Sequence, residues 1–81
     1  MMRVLDTWMM RGRGMIAIVK LDGPQPQNGA RLRRRRDGRN CQVRGALISR
    51  HREAREGDTI GILLDDEAKP IVGDVFDRVT G

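Results

Sequence analysis

Apolar and polar positions alternate in short runs along most of this chain, and no stretch carries the spacing of an amphipathic helix. Residues 3–10 mix apolar and polar side chains, Gly12-Arg13-Gly14 punctuates the chain, and Met15-Ile16-Ala17-Ile18-Val19-Lys20-Leu21 follows. These read as two strands joined by a tight connection. Asp22 to Gly29 contains Pro24, Pro26, Gly23 and Asn28 and reads as a loop, because such residues sustain neither a helix nor a ladder.

A third strand over 30–36 is expected to turn at Asp37-Gly38, a pair that accepts the positive φ of a hairpin, and to return over 39–50. Period-two geometry puts Cys41, Val43, Gly45 and Leu47 on an inward face, with Gln42, Arg44, Ala46, Ile48 and Arg50 outward. After the charged stretch 51–57, Ile60, Ile62 and Leu64 alternate with Thr59, Gly61 and Leu63 in a fifth strand. Asp65-Asp66-Glu67 and Pro70 mark another turn, and 71–79 supply a sixth strand broken by Gly73. Short strands at regular turn spacing predict an all-β domain, and ring closure removes the unpaired edges that so small a sheet would expose. The expected fold is a small closed six-stranded antiparallel β-barrel, one domain over residues 1–81. Its expected core is Val4, Trp8, Ile16, Ile18, Val43, Leu47, Ile60, Ile62, Leu64 and Val75, with Phe76 also inside.

Charge changes the picture. The net charge is +5, but residues 1–56 carry 14 Lys/Arg against 5 Asp/Glu, whereas 57–81 carry 2 against 6. An Arg-dominated segment suggests an anionic partner, with nucleic acid the commonest. Fourteen of the 16 cations are Arg, which suits planar phosphate contacts; coding bias toward Arg explains the excess equally well. A single Cys41 permits no internal disulfide, and no apolar run is long enough for a signal segment or a membrane span, so a cytoplasmic protein without membrane association is expected.

Several segments resemble a known family in order and spacing. Asp6-Thr7-Trp8-Met9-Met10-Arg11 before Gly12-Arg13-Gly14 is similar to the opening of domain II in the elongation factor Tu class of translation GTPases. Ala54-Arg55-Glu56-Gly57-Asp58-Thr59-Ile60-Gly61-Ile62-Leu63-Leu64 resembles that family's Ala-x-x-Gly-Asp-x-Val-Gly-Leu-Leu signature, and Ile71-Val72-Gly73-Asp74-Val75 its closing strand. The resemblance spans essentially the whole chain and implies a stand-alone translation-protein β-barrel. Val19 stands where the family usually has Gly, and the loop between Leu47 and Gly57 is short, so the family's pocket for the aminoacyl end of tRNA is not carried over.

The candidate nucleic-acid-binding residues are Arg31, Arg33, Arg34, Arg35, Arg36, Arg39 and Arg44 on the hairpin, with Arg50 and Arg52 extending them. Inward-starting guanidinium groups are expected to snorkel from the rim to water. RNA or the ribosome is the expected partner, held by its phosphates; the same hairpin also reads as a solvated, edge-protecting surface. Trp8 and Phe76 are the only aromatics, so base stacking is not expected to dominate. The rival reading is a protein-interaction or self-associating module using Ala46, Ile48 and Leu63. Asp65, Asp66 and Glu67 with Asp74 or Asp77 form a weaker carboxylate grouping that reads first as a solvated turn. Cys41 and His51 make no catalytic pair and Ser49 has no triad, so no catalytic residue, metal or cofactor is assigned and no enzyme is expected. The chain lacks a Gly-x-x-x-x-Gly-Lys-Ser/Thr phosphate loop. Calorimetric titration with GTP and Mg²⁺ should therefore show no saturable binding once screened by salt; a micromolar isotherm would overturn this expectation.

Overall fold

A computed structural model describes residues 1–47 and 55–79. Its strands are β1 (Met2–Met10), β2 (Gly14–Lys20), β3 (Arg31–Arg34), β4 (Asn40–Leu47), β5 (Thr59–Leu64) and β6 (Val75–Arg78), with one 3-10 turn at Asp66–Ala68. All neighbours pair antiparallel, in the ring order β1-β2-β5-β4-β3-β6. The seam is short: β1 meets β6 only through Met2 with Phe76 and Arg3 with Val75. Among the described residues no helix is long and apolar enough to cross a membrane.

The β1–β2 corner needs its glycines. Gly14 has φ +133, and a Cβ there would lie 2.1 Å from the Leu64 carbonyl oxygen, so no side chain fits where β2 packs against β5. The expected sixth strand over 71–79 shortens to 75–78 because the preceding residues form a turn. The Ile71 N–H donates to Asp74 Oδ2 at 2.9 Å, the Asp74 N–H donates to the Ile71 carbonyl at 3.0 Å, and Gly73 has φ +93. Similarly, β3 ends at Arg34, because the Gly38 N–H returns to the Arg34 carbonyl at 2.8 Å and starts the hairpin turn.

Phe76, Met2, Leu32, Ile62, Leu64, Val4, Val19 and Val43 are the largest fully buried side chains. Ile60 and Cys41 join them in the core. Alternation alone misplaces several of the rest, on β1 and β4 because each strand carries a bulge. A bulge between Val4 and Asp6 reverses the parity of β1, so Val4 points inward whereas Asp6, Trp8 and Met10 share the outer face. Trp8 is therefore 58% exposed rather than in the core. On β2 it is Ala17 and Val19, continued by Leu21, that enter the core cluster; Ile18 is half-buried. Ile16 is buried but lies outside that cluster, in an outer cross-strand row with Trp8 and Leu63.

A second bulge, between Val43 and Gly45, does the same to β4. Gly45 pairs with Leu63 on the outer row, and Ala46 pairs with Ile62 and packs on the core instead of offering an outward contact. On β6 the inward residue is Phe76, and Val75 is half-buried on the outer side. The Leu47 side chain and Ile48 lie outside what is described.

Phe76→Ala should cost about 3–5 kcal/mol in urea-unfolding experiments, through lost transfer energy and a residual cavity. Trp8→Ala should cost about 1 kcal/mol, since most of its ring never leaves water. Wild-type Trp8 fluorescence should be red-shifted and quenched freely by acrylamide; a blue-shifted, protected indole would contradict the β1 bulge.

Candidate nucleic-acid interface

The β3–β4 hairpin gathers the arginine run against β6 and the 3-10 turn. On β3, Leu32 and Arg34 share the inward parity, which makes Arg34 a core position at the end of the ring. It does not snorkel to water: it is 3% exposed. Its guanidinium donates to both Asp37 oxygens, at 3.0 and 2.8 Å, to the Ala68 carbonyl, and to the Lys69 carbonyl at 3.3 Å. It also stands 3.8 Å from the buried Asp74 carboxylate. Such a bidentate, charge-assisted arrangement satisfies a buried cation at every face it presents.

The neighbouring arginines also find carboxylates. Arg36 clasps Asp74 at 2.8 and 3.3 Å, and Arg35 clasps Asp77 at 2.6 and 3.0 Å. Arg39 approaches Glu67 at 3.5 Å, and Arg44 approaches Asp65 at 3.4 Å while also reaching the Arg13 carbonyl at 3.4 Å. Arg31 has no ion-pair partner among the described residues, and Arg33 has only a 3.3 Å bond to Asn40 Oδ1. Arg50 and Arg52 lie outside the described residues. Of the expected site, then, Arg34 is an internal strut, Arg35, Arg36, Arg39 and Arg44 are neutralised, and Arg31 and Arg33 meet no carboxylate among the described residues.

The partners that the alternation pattern does not name are Asp37, Asp74 and Asp77, which the hairpin turn and the acidic final third supply. A net −4 over residues 57–81 is the signal that could have announced Asp74 and Asp77. Burial pulls the Asp74 carboxyl upward, but the Arg36 hydrogen bond, the Ile71 N–H and the charges of Arg36 and Arg34 outweigh it and hold it below its ordinary range. The Arg34 hydrogen bond and the Arg39 N–H depress Asp37, and Arg35 depresses Asp77. At the opposite end of the ring, Arg78 donates to Asp22 at 3.2 and 3.0 Å, and the terminal amino group also bonds Asp22, whose carboxyl is lowered chiefly by that contact. Among the described residues no three His, Cys, Asp or Glu side chains stand together as a metal site, and Asp74 and Asp77 are spoken for by arginines.

No protein-family model, curated protein or solved structure matches this chain.

The depressed carboxylates fix the sign of acid sensitivity. Each contributes stability that is fully present above the ordinary carboxylate range and is lost as pH falls through its lowered folded value. Urea midpoints should therefore stay level near neutrality and drop below about pH 4. Asp74→Asn should lose about 3 kcal/mol at pH 7, by leaving Arg36 and the buried Arg34 short of a partner, and should show a shallower acid decline. An unchanged acid slope in that variant would remove Asp74 from the account.

Proposed function

We propose that this chain is a non-catalytic RNA-binding or ribosome-associated module, related in architecture to domain II of the elongation factor Tu class, acting in the cytoplasm. The support for the architecture is the ordered set of glycine corners and Gly-Asp turns in the sequence, together with the observed six-stranded antiparallel ring.

One observation carries the phosphate reading. The outer face of β3 presents Arg31 and Arg33, continued by exposed Arg35, between the polar Gln42 and Asn40 of β4 and the Asp77 of β6. Arg3 adds to this face beside Val75. Asp77 is the one acid among those neighbours, so the face stays basic after internal pairing. The Arg35–Asp77 pair is exposed at both ends, with side-chain exposures of 57% and 40%. A pair of that kind is worth about 0–1 kcal/mol, so Arg35 can trade its carboxylate for a phosphate at little cost. The interface thus contracts from the whole hairpin to Arg3, Arg31, Arg33 and Arg35, with Arg34 and Arg36 serving the fold.

The rival reading, a protein-interaction or self-associating module without nucleic-acid binding, draws support from exposed Leu5, Trp8, Met9, Ile71 and Val72. Salt separates the two, because counterion release steepens the salt dependence of RNA binding and leaves an apolar contact nearly unaffected.

Replacing Arg31 and Arg33 with Gln should weaken binding of a structured RNA hairpin across sequences. It should also flatten log K against log salt by about 0.7–0.9 for each phosphate no longer neutralised, with stability within about 0.5 kcal/mol of wild type. Fluorescence anisotropy over a salt series gives the slope. No RNA binding at low salt, or an unchanged slope in the double variant, would retire the RNA reading in favour of the protein-interaction module.

A further inference from the structure

The end of β1 leaves the ring. Past Val4, whose N–H donates to the Asp74 carbonyl at 2.8 Å, β1 pairs among the described residues only with β2, and its other edge from Thr7 to Met9 meets no described strand. The Thr7 N–H bonds Asp6 Oδ1 at 2.8 Å instead of β2, so Thr7 and Met9 are the alternate residues whose backbone groups point away from β2. Among the described residues, the Thr7 carbonyl and both backbone groups of Met9 have no partner on that side.

A groove of about 510 Å³ lies beside this edge, within the range of sites that take a small ligand or the side chains of a peptide. Met9, Met10 and Met15 line one side, Pro70 and Ile71 the other. Met9 is 76% exposed and Ile71 52%. Thioether side chains adapt to varied apolar shapes, which suits a peptide site. The charged lining residues are Arg11 and Lys69, both without an ion-pair partner among the described residues, and no acid lines the groove. Lys69 is held at φ +42, the one non-glycine residue in the left-handed region among those described, and the Arg34 guanidinium bonds its carbonyl.

We propose that this groove docks an extended, acidic segment of a partner protein. The segment adds as a strand to the Thr7–Met9 edge, rests aliphatic side chains on the methionines and places carboxylates by Arg11 and Lys69. The backbone edge supplies pairing, the groove supplies alternate-side-chain pockets, and Arg11 and Lys69 set the sign of the partner. A second copy of this chain fits poorly: each copy would bring its own Arg11 and Lys69 to a groove lined by no acid, between molecules of net charge +5. The site uses none of Arg31, Arg33 and Arg35, so it stands or falls apart from the RNA reading.

The test uses the full chain and two blocked peptides of about eight residues, one alternating valine with glutamate and one alternating valine with lysine. The glutamate peptide should shift amide resonances at Thr7–Met9, Lys69 and Ile71 and the methyl signals of Met9, Met10 and Met15, while the lysine peptide should not. The double variant Arg11→Glu, Lys69→Glu should bind the glutamate peptide at least about ten-fold more weakly and bind the lysine peptide instead. Met9→Pro removes a donor that no ladder uses; the variant should therefore stay folded and lose the peptide. Equal binding of both peptides, no shift at this edge at low salt, an unchanged preference after the charge swap, or concentration-dependent dimerisation that protects the Thr7–Met9 amides would overturn the proposal.

Discussion

A guanidinium group brought in from the rim of a small ring organises the end of this molecule. Arg34 ties the β3–β4 turn through Asp37, the 3-10 turn through the Ala68 carbonyl, and the start of β6 through Asp74. The first of these segments lies far in sequence from the other two, and the buried Arg34 joins all three. A cation in that position costs several kcal/mol to desolvate and is tolerable only because carbonyls and carboxylates surround it. Its neighbours follow from it: Arg36 completes Asp74, Asp74 in turn caps the Ile71 turn, and the Lys69 carbonyl is fixed next to the methionine groove.

Much of the architecture was legible in the sequence because turn chemistry announces itself. Gly12-Arg13-Gly14, Asp37-Gly38 and Gly57-Asp58 each sit at a corner, and the six strands appear in the expected order. Facing was less legible. A bulge adds a single residue; on β1 it leaves no mark in Val4-Leu5-Asp6 and on β4 only the isolated Gly45 hints at it, yet it exchanges every side chain beyond it between core and surface. Trp8 and Ala46 were misplaced by that mechanism. Length was misjudged at β6 for a different reason: Ile71 and Val72 look like strand residues, but Asp74 and Gly73 close a turn that leaves both exposed.

The charge asymmetry along the chain was legible as well, and its meaning was only half so. A basic block followed by an acidic one can mark a surface for an anionic partner or two halves that satisfy each other. Here the second use is plain. Arg34, Arg35, Arg36, Arg39 and Arg44 answer Asp37, Asp77, Asp74, Glu67 and Asp65, and the outward face of β3 keeps Arg31 and Arg33 apart from any carboxylate among the described residues. The acids were recognisable in advance as a solvated turn or a weak cation site, but pairing between residues dozens of positions apart is set by strand order, which composition does not contain.

The seam between β1 and β6 joins Met2 to Phe76, nearly the whole chain apart, so the ring cannot close until its last strand exists. During synthesis the β1–β2 hairpin and the apolar faces of β4 and β5 must wait as an open sheet. Ring closure is therefore a late event governed by the entropy of a long loop closure, in the slower regime of non-local β topologies. A nascent chain in that interval exposes the edge of β1 along its whole length, and chaperones or neighbouring nascent chains would meet it there first.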